Sequence, residues 1–235
     1  LGSPTVIAGC PSCMKELKSH DCGNVTGIWT VLENIGLPER AARIDKPVAV
    51  HDSCGTRGDA ETQHSIRRIA EALGCQVQET EYSGDKSPCC GYGGLTQYTN
   101  REVAKEMTQK CLERSELPYL SYCMACRDRF AREGRESMHL LELVYGTAAD
   151  SCPDISAKRY NRLSLRNQLL EEIWNEEVLK VDLGFSLEFT ADAEEMMDDR
   201  MILKGDVLRV MQSLRETGEA ILDEESGLYL TRARL

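Results

Sequence analysis

The stretch that decides the fold of this chain is residues 87–94, which read Ser87-Pro88-Cys89-Cys90-Gly91-Tyr92-Gly93-Gly94. Successive side chains of a strand point to opposite faces, so both neighbouring thiols can reach one metal centre only if the backbone turns sharply. The three glycines permit such a turn, because glycine tolerates positive φ and lets the backbone approach a ligand closely. The stretch therefore predicts a tight loop that presents two adjacent thiols.

Two further cysteine motifs flank this loop at similar distances along the chain. Cys54 ends the sequence His51-Asp52-Ser53-Cys54, and 34 residues separate it from Cys89. The pair Cys123-x-x-Cys126 begins after 32 residues beyond Cys90. We predict that the five thiols of these three motifs form one array, made of Cys54, Cys89, Cys90, Cys123 and Cys126.

The composition excludes several classes of partner. The 235 residues carry a net charge of −11 and a sequence pI of about 5.0, which disfavours binding to nucleic acid or to an anionic membrane. No apolar run approaches the roughly 20 residues of a membrane span. We therefore expect neither nucleic acid nor a membrane span among the features of this protein.

The 11 cysteines indicate metal or redox chemistry rather than a disulfide framework. The count is odd, the chain is not short, and no charged-then-apolar leader is visible. We expect a reducing, cytoplasmic compartment. Four cysteines outside the motifs are expected to be small core residues, namely Cys22, Cys75, Cys111 and Cys152.

Short apolar runs alternate with helical patterns along residues 1–150. Strands are predicted at residues 5–9, 47–50, 75–81 and 117–122, with Asn24 and Asp59 as candidate caps of the helices that follow them. This alternation predicts an α/β fold with a parallel sheet, whose ligands gather at the carboxyl ends of the strands. Residues 151–235 form a small α+β appendage of helices and a terminal hairpin, in which we identify no chemistry.

An internal repeat links the two ends of the cysteine-rich domain. Residues 6–13 and 119–126 share one plan of strand, Cys-x-x-Cys and helix, and a second helix follows each. Cys10 and Cys13 are thus the end of a first five-cysteine unit whose other cysteines are absent. Because the chain also begins without methionine, we expect it to be a piece of a longer protein.

The chemistry of the array leaves the cofactor open. Soft thiolates select zinc, copper(I) or iron–sulfur clusters. Five thiolates is one more than tetrahedral zinc or a cubane cluster requires, and a vicinal pair can place one sulfur between two irons. Glycine-turn N–H groups can donate to cluster sulfides, and a helix amino terminus at Cys123 and Cys126 favours thiolate.

These motifs resemble the cysteine-rich CCG domain family. The family includes the B subunit of heterodisulfide reductase and the iron–sulfur subunits of glycolate, lactate and glycerol-3-phosphate oxidoreductases. The resemblance spans about residues 4–146. It rests on the five-cysteine pattern, the lead-in at 51–54, the Cys-Cys-Gly-Tyr-Gly-Gly turn and the helix sequence Met-His-Leu-Leu-Glu-Leu at 138–143.

The resemblance implies a function and a set of ligands. In the reductase each of two repeats holds a noncubane [4Fe-4S] cluster that is used to cleave a disulfide. For this chain the resemblance implies that the cluster ligands are Cys54, Cys89, Cys90, Cys123 and Cys126. Cys10 and Cys13 would be orphan ligands of the incomplete site. The implied partners are a flavin or iron–sulfur redox subunit or fused domain, with a thiol or disulfide as substrate. Some relatives carry zinc at one such site.

Two functional hypotheses follow. The first is an oxidoreductase domain or subunit of the heterodisulfide reductase type, from an anaerobic setting, which carries a [4Fe-4S] cluster. The second is a non-catalytic assembly module stabilised by zinc or a cluster. Metal-free dithiol exchange at Cys89-Cys90 is a weaker third hypothesis, because a vicinal disulfide is strained. No catalytic residue is assigned. His51 either hydrogen-bonds a backbone group or orients a ligand, while Arg57 and Tyr92 are candidates for substrate contact.

We expect Cys90→Ser to abolish or degrade the metal centre and to lower stability, because metal binding and folding are coupled. Cys152→Ser is the matched control and should do neither. Metal content and the visible absorption spectrum of the two variants check this. Unchanged metal content and spectrum in Cys90→Ser would show that the ligand assignment is wrong.

Overall fold

The computed structural model describes residues 4–147, 152–153, 155–177, 187–200 and 202–233. The chain divides into two compact units, Leu1–Cys152 and Pro153–Leu235. The first unit is a mixed α/β structure built on a parallel sheet of four strands, which confirms the predicted fold class.

The first unit contains the strands predicted near residues 5–9, 47–50, 75–81 and 117–122, but the strands at residues 25–27 and 137–139 were not predicted, and the helix predicted from Met138 begins only at Leu140. In chain order its elements are β1 (Val6–Ala8), α1 (Pro11–Ser19), β2 (Val25–Gly27), α2 (Ile28–Ile35), β3 (Pro47–His51), α3 (Ala60–Ala72), β4 (Gln76–Gln78), α4 (Thr96–Thr99), α5 (Arg101–Leu112), β5 (Tyr119–Ser121), α6 (Met124–Arg132), β6 (Ser137–His139) and α7 (Leu140–Val144). Two short 3₁₀ turns, Cys54–Thr56 and Gly84–Lys86, lie in the connections around α3.

The main sheet has the strand order β4-β3-β5-β6, and every pairing in it is parallel. From β3 the chain first forms β4 on one side and then crosses to form β5 on the other side. The direction of winding therefore reverses between β3 and β5. In open α/β sheets, ligands bind beyond the carboxyl ends of the strands at such a reversal. Both Cys54 and Cys123 follow immediately after these two strand ends.

Side chains of the sheet pack against helices on both faces. Along β3, Val48 and Val50 join one buried cluster, which includes Trp29 of α2 and Ile66 of α3. Ala49 points the other way, into a second cluster that includes residues of α5 and α6. This second cluster contains Cys90, Cys111 and Cys126, so the face that packs on α5 and α6 also carries the buried thiols.

The predicted repeat is present and is longer than expected. Helices α1 and α6 each follow a strand and a cysteine, and each spans nine residues. A further strand then pairs in parallel with the first one, β2 with β1 and β6 with β5. The prediction that Asn24 caps α2 is therefore wrong. Residues 25–27 form β2, Gly27 is the N-cap, and Asn24 Nδ2 donates to Thr5 Oγ1 at 3.0 Å. The predicted cap of α3 is confirmed, since Asp59 Oδ1 accepts from the Thr62 N–H at 3.1 Å.

The second unit is a small α+β structure within its described residues. It contains α8 (Ile155–Glu172), α9 (Ala191–Arg200), α10 (Lys204–Thr217) and the antiparallel hairpin of β7 (Ile221–Asp223) and β8 (Leu228–Leu230). In the parts of the chain that the structure describes, no helix combines the length and apolar character that crossing a membrane requires.

The Cys-Cys-Gly turn rests directly on α5. Gly91 has φ +92°, and a Cβ at this position would lie 2.3 Å from the carbonyl oxygen of Ala104. Thr108 of α5 also donates its hydroxyl to the Cys90 carbonyl oxygen at 2.8 Å. The turn therefore requires glycine for two reasons, its positive φ and the closeness of the α5 backbone.

We expect Gly91→Ala to destabilise the chain far more than Gly58→Ala does. Gly58 has φ +81° but open space around its Cα, so the control variant should cost only about 1–2 kcal/mol for the left-handed backbone. Gly91→Ala adds a steric overlap with a backbone atom that cannot rotate away. Urea denaturation under reducing conditions measures both variants, and equal losses would show that α5 moves freely to admit the methyl group.

Candidate metal centre

All five thiols predicted to form one array come together at the carboxyl ends of β3 and β5. Each thiol shifts the pKa of its neighbours, in the order Cys54, Cys89, Cys90, Cys126 and Cys123, so the five side chains lie in one continuous row. Cys90 and Cys126 are buried, while the other three are partly exposed. The row therefore has a buried interior and an accessible side. The role of these residues as ligands stays a prediction.

The sulfurs do not surround a single point. Among the residues that the structure describes, no group of three His, Cys, Asp or Glu side chains is placed so that it could hold a metal ion.

A buried carboxylate fixes the three cysteine segments relative to one another. Asp52 is fully buried, two residues before Cys54, and Arg67 of α3 donates to both of its oxygens at 2.9 and 2.8 Å. The N–H of Gly84 donates to Oδ2 at 2.6 Å, and the hydroxyl of Tyr122 donates to Oδ1 at 2.9 Å. Gly84 leads into the vicinal pair and Tyr122 directly precedes Cys123. One carboxylate therefore holds all three segments.

Further hydrogen bonds tie the Cys54 turn to the other two segments. Arg57 donates from Nε and Nη2 to the carbonyl oxygen of Ser87 at 3.1 and 2.6 Å, and the Ser87 hydroxyl donates to the Asp52 carbonyl at 2.7 Å. The hydroxyls of Thr56 and Tyr122 are 2.7 Å apart. Arg57, a candidate for substrate contact, is thus held in place at the entrance of the array, while its contact with a substrate stays a prediction.

Backbone N–H groups point at the sulfurs that accept hydrogen bonds. The Gly91 N–H donates to Cys89 Sγ at 3.4 Å, and the N–H of Gly93 also reaches this sulfur. At the start of α6, the N–H groups of Ala125 and Cys126 donate to Cys123. Donors fixed in the backbone stabilise thiolate and, equally, metal-bound sulfur. The donor set therefore fits a thiolate-bound metal or cluster.

Contacts between neighbouring thiols shift their pKa values in opposite directions. Hydrogen bonds from Cys54 and Cys90 hold the pKa of Cys89 far below its ordinary value, and a bond from Cys126 lowers the pKa of Cys123 to about 6. The partners shift the other way. The bond to Cys89, with burial, raises the pKa of Cys54, and the bond to Cys123 raises that of Cys126. At Cys90 a bond from Cys126 lowers the pKa, but the bond to Cys89 and burial raise it on balance to about 12.

Cys10 and Cys13 lie beside the array but outside the row of five. Both are exposed, and the hydrogen bond between them raises the pKa of Cys13. Their loop packs against the Cys54 turn, since a Cβ on Gly55 would lie 3.2 Å from both Pro11 Cβ and Ser12 N. Their role as ligands of an incomplete site stays a prediction.

The remaining cysteines are placed in part as expected. Cys75 and Cys111 are buried core residues, but Cys22 is exposed, so its prediction as a core residue was wrong. It follows the end of α1, where its thiol donates to the backbone carbonyl oxygen of His20 at 3.8 Å. Cys152 is partly buried and accepts a hydrogen bond from Arg132 Nε at 3.4 Å.

Sequence reasoning missed several residues that support the site. Asp52 and Tyr122 each stand next to a cysteine motif, and that position was the available signal. Cys111 reaches the turn from α5, where its thiol donates to the Cys89 carbonyl oxygen at 3.5 Å. Its contact has no sequence signal, because it depends on how α5 packs against the loop.

A parallel α/β domain whose thiols gather where the winding direction of the sheet reverses is typical of domains that bind a metal or a cluster through thiolates. Residues 48–127 match the family model described as the CCG cysteine-rich domain. The match confirms the resemblance expected from the sequence and contains all five cysteines of the row. It supports metal or cluster binding without specifying which. A search of curated proteins found no match to the chain.

We expect Arg67→Met to cost about 3–5 kcal/mol of unfolding free energy, because it leaves the buried Asp52 charge without its main partner. The adjacent Arg68 pairs with Glu33 at the surface, so Arg68→Met on the same helix is the matched control and should have little effect. Urea denaturation at pH 7 measures both variants. Equal losses would show that the Asp52–Arg67 pair has no special importance.

The Asp52–Arg67 pair also predicts how the free energy of unfolding depends on pH. Burial alone would raise the pKa of Asp52, but Arg67, the Gly84 N–H and the Tyr122 hydroxyl lower it below its ordinary value of 3.8. The stabilisation from the ionised Asp52 is therefore present above that value and is lost as the pH falls below it. In Arg67→Met protonation stabilises the unpaired Asp52 carboxyl group in the folded state. The difference in unfolding free energy between the variant and wild type should therefore shrink as the solution is acidified.

Proposed function

We propose that this chain is an iron–sulfur redox module that resembles the B subunit of heterodisulfide reductase. It binds a noncubane [4Fe-4S] cluster through Cys54, Cys89, Cys90, Cys123 and Cys126 for electron transfer, with disulfide reduction as a further activity. The observation that carries this proposal is the continuous row of five thiols from three segments at the winding reversal of the sheet.

The number and arrangement of the sulfurs favour a cluster over one zinc ion. Tetrahedral zinc uses four ligands, and the row offers five. Its two adjacent cysteines, Cys89 and Cys90, are held by the turn so that both contribute to the same row, which suits a centre with more than one metal atom. When bound, the cluster would supply one-electron chemistry.

The residues of the chain perform the binding and tuning. The Asp52 network holds the three segments at fixed separation, which limits the reorganisation needed on metal loading. The N–H groups of Gly91, Gly93 and Ala125 offset the negative charge on the sulfurs. Cys90 and Cys126, the buried thiols, exclude water from one side of the centre.

The accessible side of the row is the face for partners. Cys54, Cys89 and Cys123 are partly exposed, so a thiol or disulfide can approach this edge. Electrons would come one at a time from a flavin or iron–sulfur redox subunit or fused domain. Two electrons and two protons convert a disulfide into two thiols. We propose a cytoplasmic, reducing and anaerobic setting for this chemistry.

The alternative is a non-catalytic assembly module, stabilised by zinc or by an inert cluster, within a larger redox complex. The second unit favours it, because the β7–β8 hairpin exposes apolar side chains on both strands, including Ile221, Leu228 and Tyr229. Apolar side chains that remain exposed in one unit are typical of contact surfaces.

Metal and acid-labile sulfide analysis of protein purified without oxygen tests the proposal, together with low-temperature EPR. We expect about four iron and about four sulfide per chain, as a [4Fe-4S] cluster requires, with a signal that appears on oxidation. One zinc ion and no sulfide would favour the assembly module instead. A chain that contains neither metal would overturn both functions.

A further inference from the structure

Two buried polar side chains stand side by side at the carboxyl end of the sheet. His51 is the last residue of β3 and Ser121 is the last residue of β5, and the two are direct partners in the parallel register. Paired residues of neighbouring strands project from the same face of a sheet. The ring of His51 contacts Tyr119 and Phe130, so this face of the sheet is the one that packs against the cluster that contains Cys90 and Cys126.

Neither side chain has its hydrogen-bonding capacity satisfied. His51 is 5% exposed and Ser121 is fully buried, yet His51 Nε2 and Ser121 Oγ have no hydrogen-bond partner among the described residues. An unpaired buried polar group is costly, so each such group in a native structure requires an explanation. Two of them in adjacent register positions indicate a shared missing partner.

The position of the pair identifies that partner. Cys54 follows His51 by three residues, Cys123 follows Ser121 by two, and the Cys89 sulfur lies within electrostatic reach of the His51 ring. The two orphaned groups therefore lie at the sheet edge that carries the row of thiols, on the face that packs against the cluster of Cys90 and Cys126. Sulfur atoms of a metal centre in that row are the acceptors that this position offers to both groups.

We propose that His51 Nε2–H and Ser121 Oγ–H donate hydrogen bonds to sulfur atoms of the metal centre. This inference rests on the proposed function only in requiring that the five thiols hold a metal or a cluster. Both residues are positioning residues, which act on the centre by stabilising negative charge on its sulfurs and by fixing its orientation. Sequence reasoning left His51 open between a backbone hydrogen bond and a ligand-orienting role, and the unpaired Nε2 favours the second.

Three substitutions separate this role from a merely structural one. Ser121→Ala removes the orphaned hydroxyl and leaves the backbone unchanged. His51→Phe removes the donor but keeps a flat ring between Tyr119 and Phe130, while His51→Gln restores an N–H near the Nε2 position. Ser137→Ala is the matched control, because Ser137 also carries a buried hydroxyl without a partner among the described residues but lies at the opposite, amino end of β6.

The first readout is affinity for Co²⁺, measured on the full chain by thiolate-to-metal absorption in competition with a chelator. We expect Ser121→Ala and His51→Phe each to weaken binding by about 10-fold, as the loss of a hydrogen bond to a metal site does. His51→Gln should recover most of this loss, and Ser137→Ala should leave binding unchanged. The free energy of unfolding of the metal-free Ser121→Ala chain should be unchanged or higher, since a costly orphaned group is gone.

The second readout is the reduction potential of the chain loaded with iron and sulfide. Losing a donor to sulfur destabilises the more negative, reduced state, so Ser121→Ala and His51→Phe should both shift the potential to more negative values. Wild-type affinity and potential in both variants would overturn the inference. The wild-type chain separates this outcome from failure of the proposed function, because a wild-type chain that takes up no iron and sulfide has no cluster potential to measure before any substitution is made.

Discussion

The buried carboxylate of Asp52 is the constraint on which the geometry of the metal centre depends. A fully buried charge is tolerated only when it is paired and hydrogen-bonded, and breaking such a pair is strongly destabilising. Its partners come from α3, from the connection before the vicinal cysteines, and from the residue before Cys123. Because each partner adjoins a different part of the site, satisfying this one carboxylate also fixes how far apart the three cysteine motifs lie.

The thiols themselves could not impose this order. A thiol is a weak donor and a weak acceptor, so a row of five would be easily rearranged if sulfur contacts alone held it. The stronger bonds of Asp52, Arg67 and the Arg57–Ser87 contact form a frame of oxygen and nitrogen atoms around the sulfurs. Within that frame, backbone N–H groups donate to the sulfurs of Cys89 and Cys123.

The array and the fold class were accessible from sequence because their signals are local. Each cysteine motif follows a short apolar run, and alternation of strand and helix patterns already implied a parallel sheet with its ligands at one edge. The Asp52 network was not accessible, because it joins residues separated by 15, 32 and 70 positions. Strand β2 was missed for a different reason. Residues 25–27 and 137–139 are too few to show an alternating pattern, so β2 and β6 were both missed and Asn24 was mistaken for a helix cap.

The two Cys-x-x-Cys motifs show that the same local sequence pattern can have very different surroundings. Cys10 and Cys123 stand at equivalent positions before helices of equal length, and each helix is followed by a strand that pairs in parallel. Their surroundings differ. Cys123 and Cys126 meet Cys90 and are bounded by the buried frame, whereas Cys10 and Cys13 are exposed and hydrogen-bonded to each other. The difference between the two motifs comes from the segment from β3 to the glycine turn, which places Cys54, Cys89 and Cys90 next to Cys123 and Cys126. The surroundings of Cys123 and Cys126 therefore depend on the whole sheet edge. Cys10 and Cys13, which stand in the same Cys-x-x-Cys pattern, form an accessible dithiol.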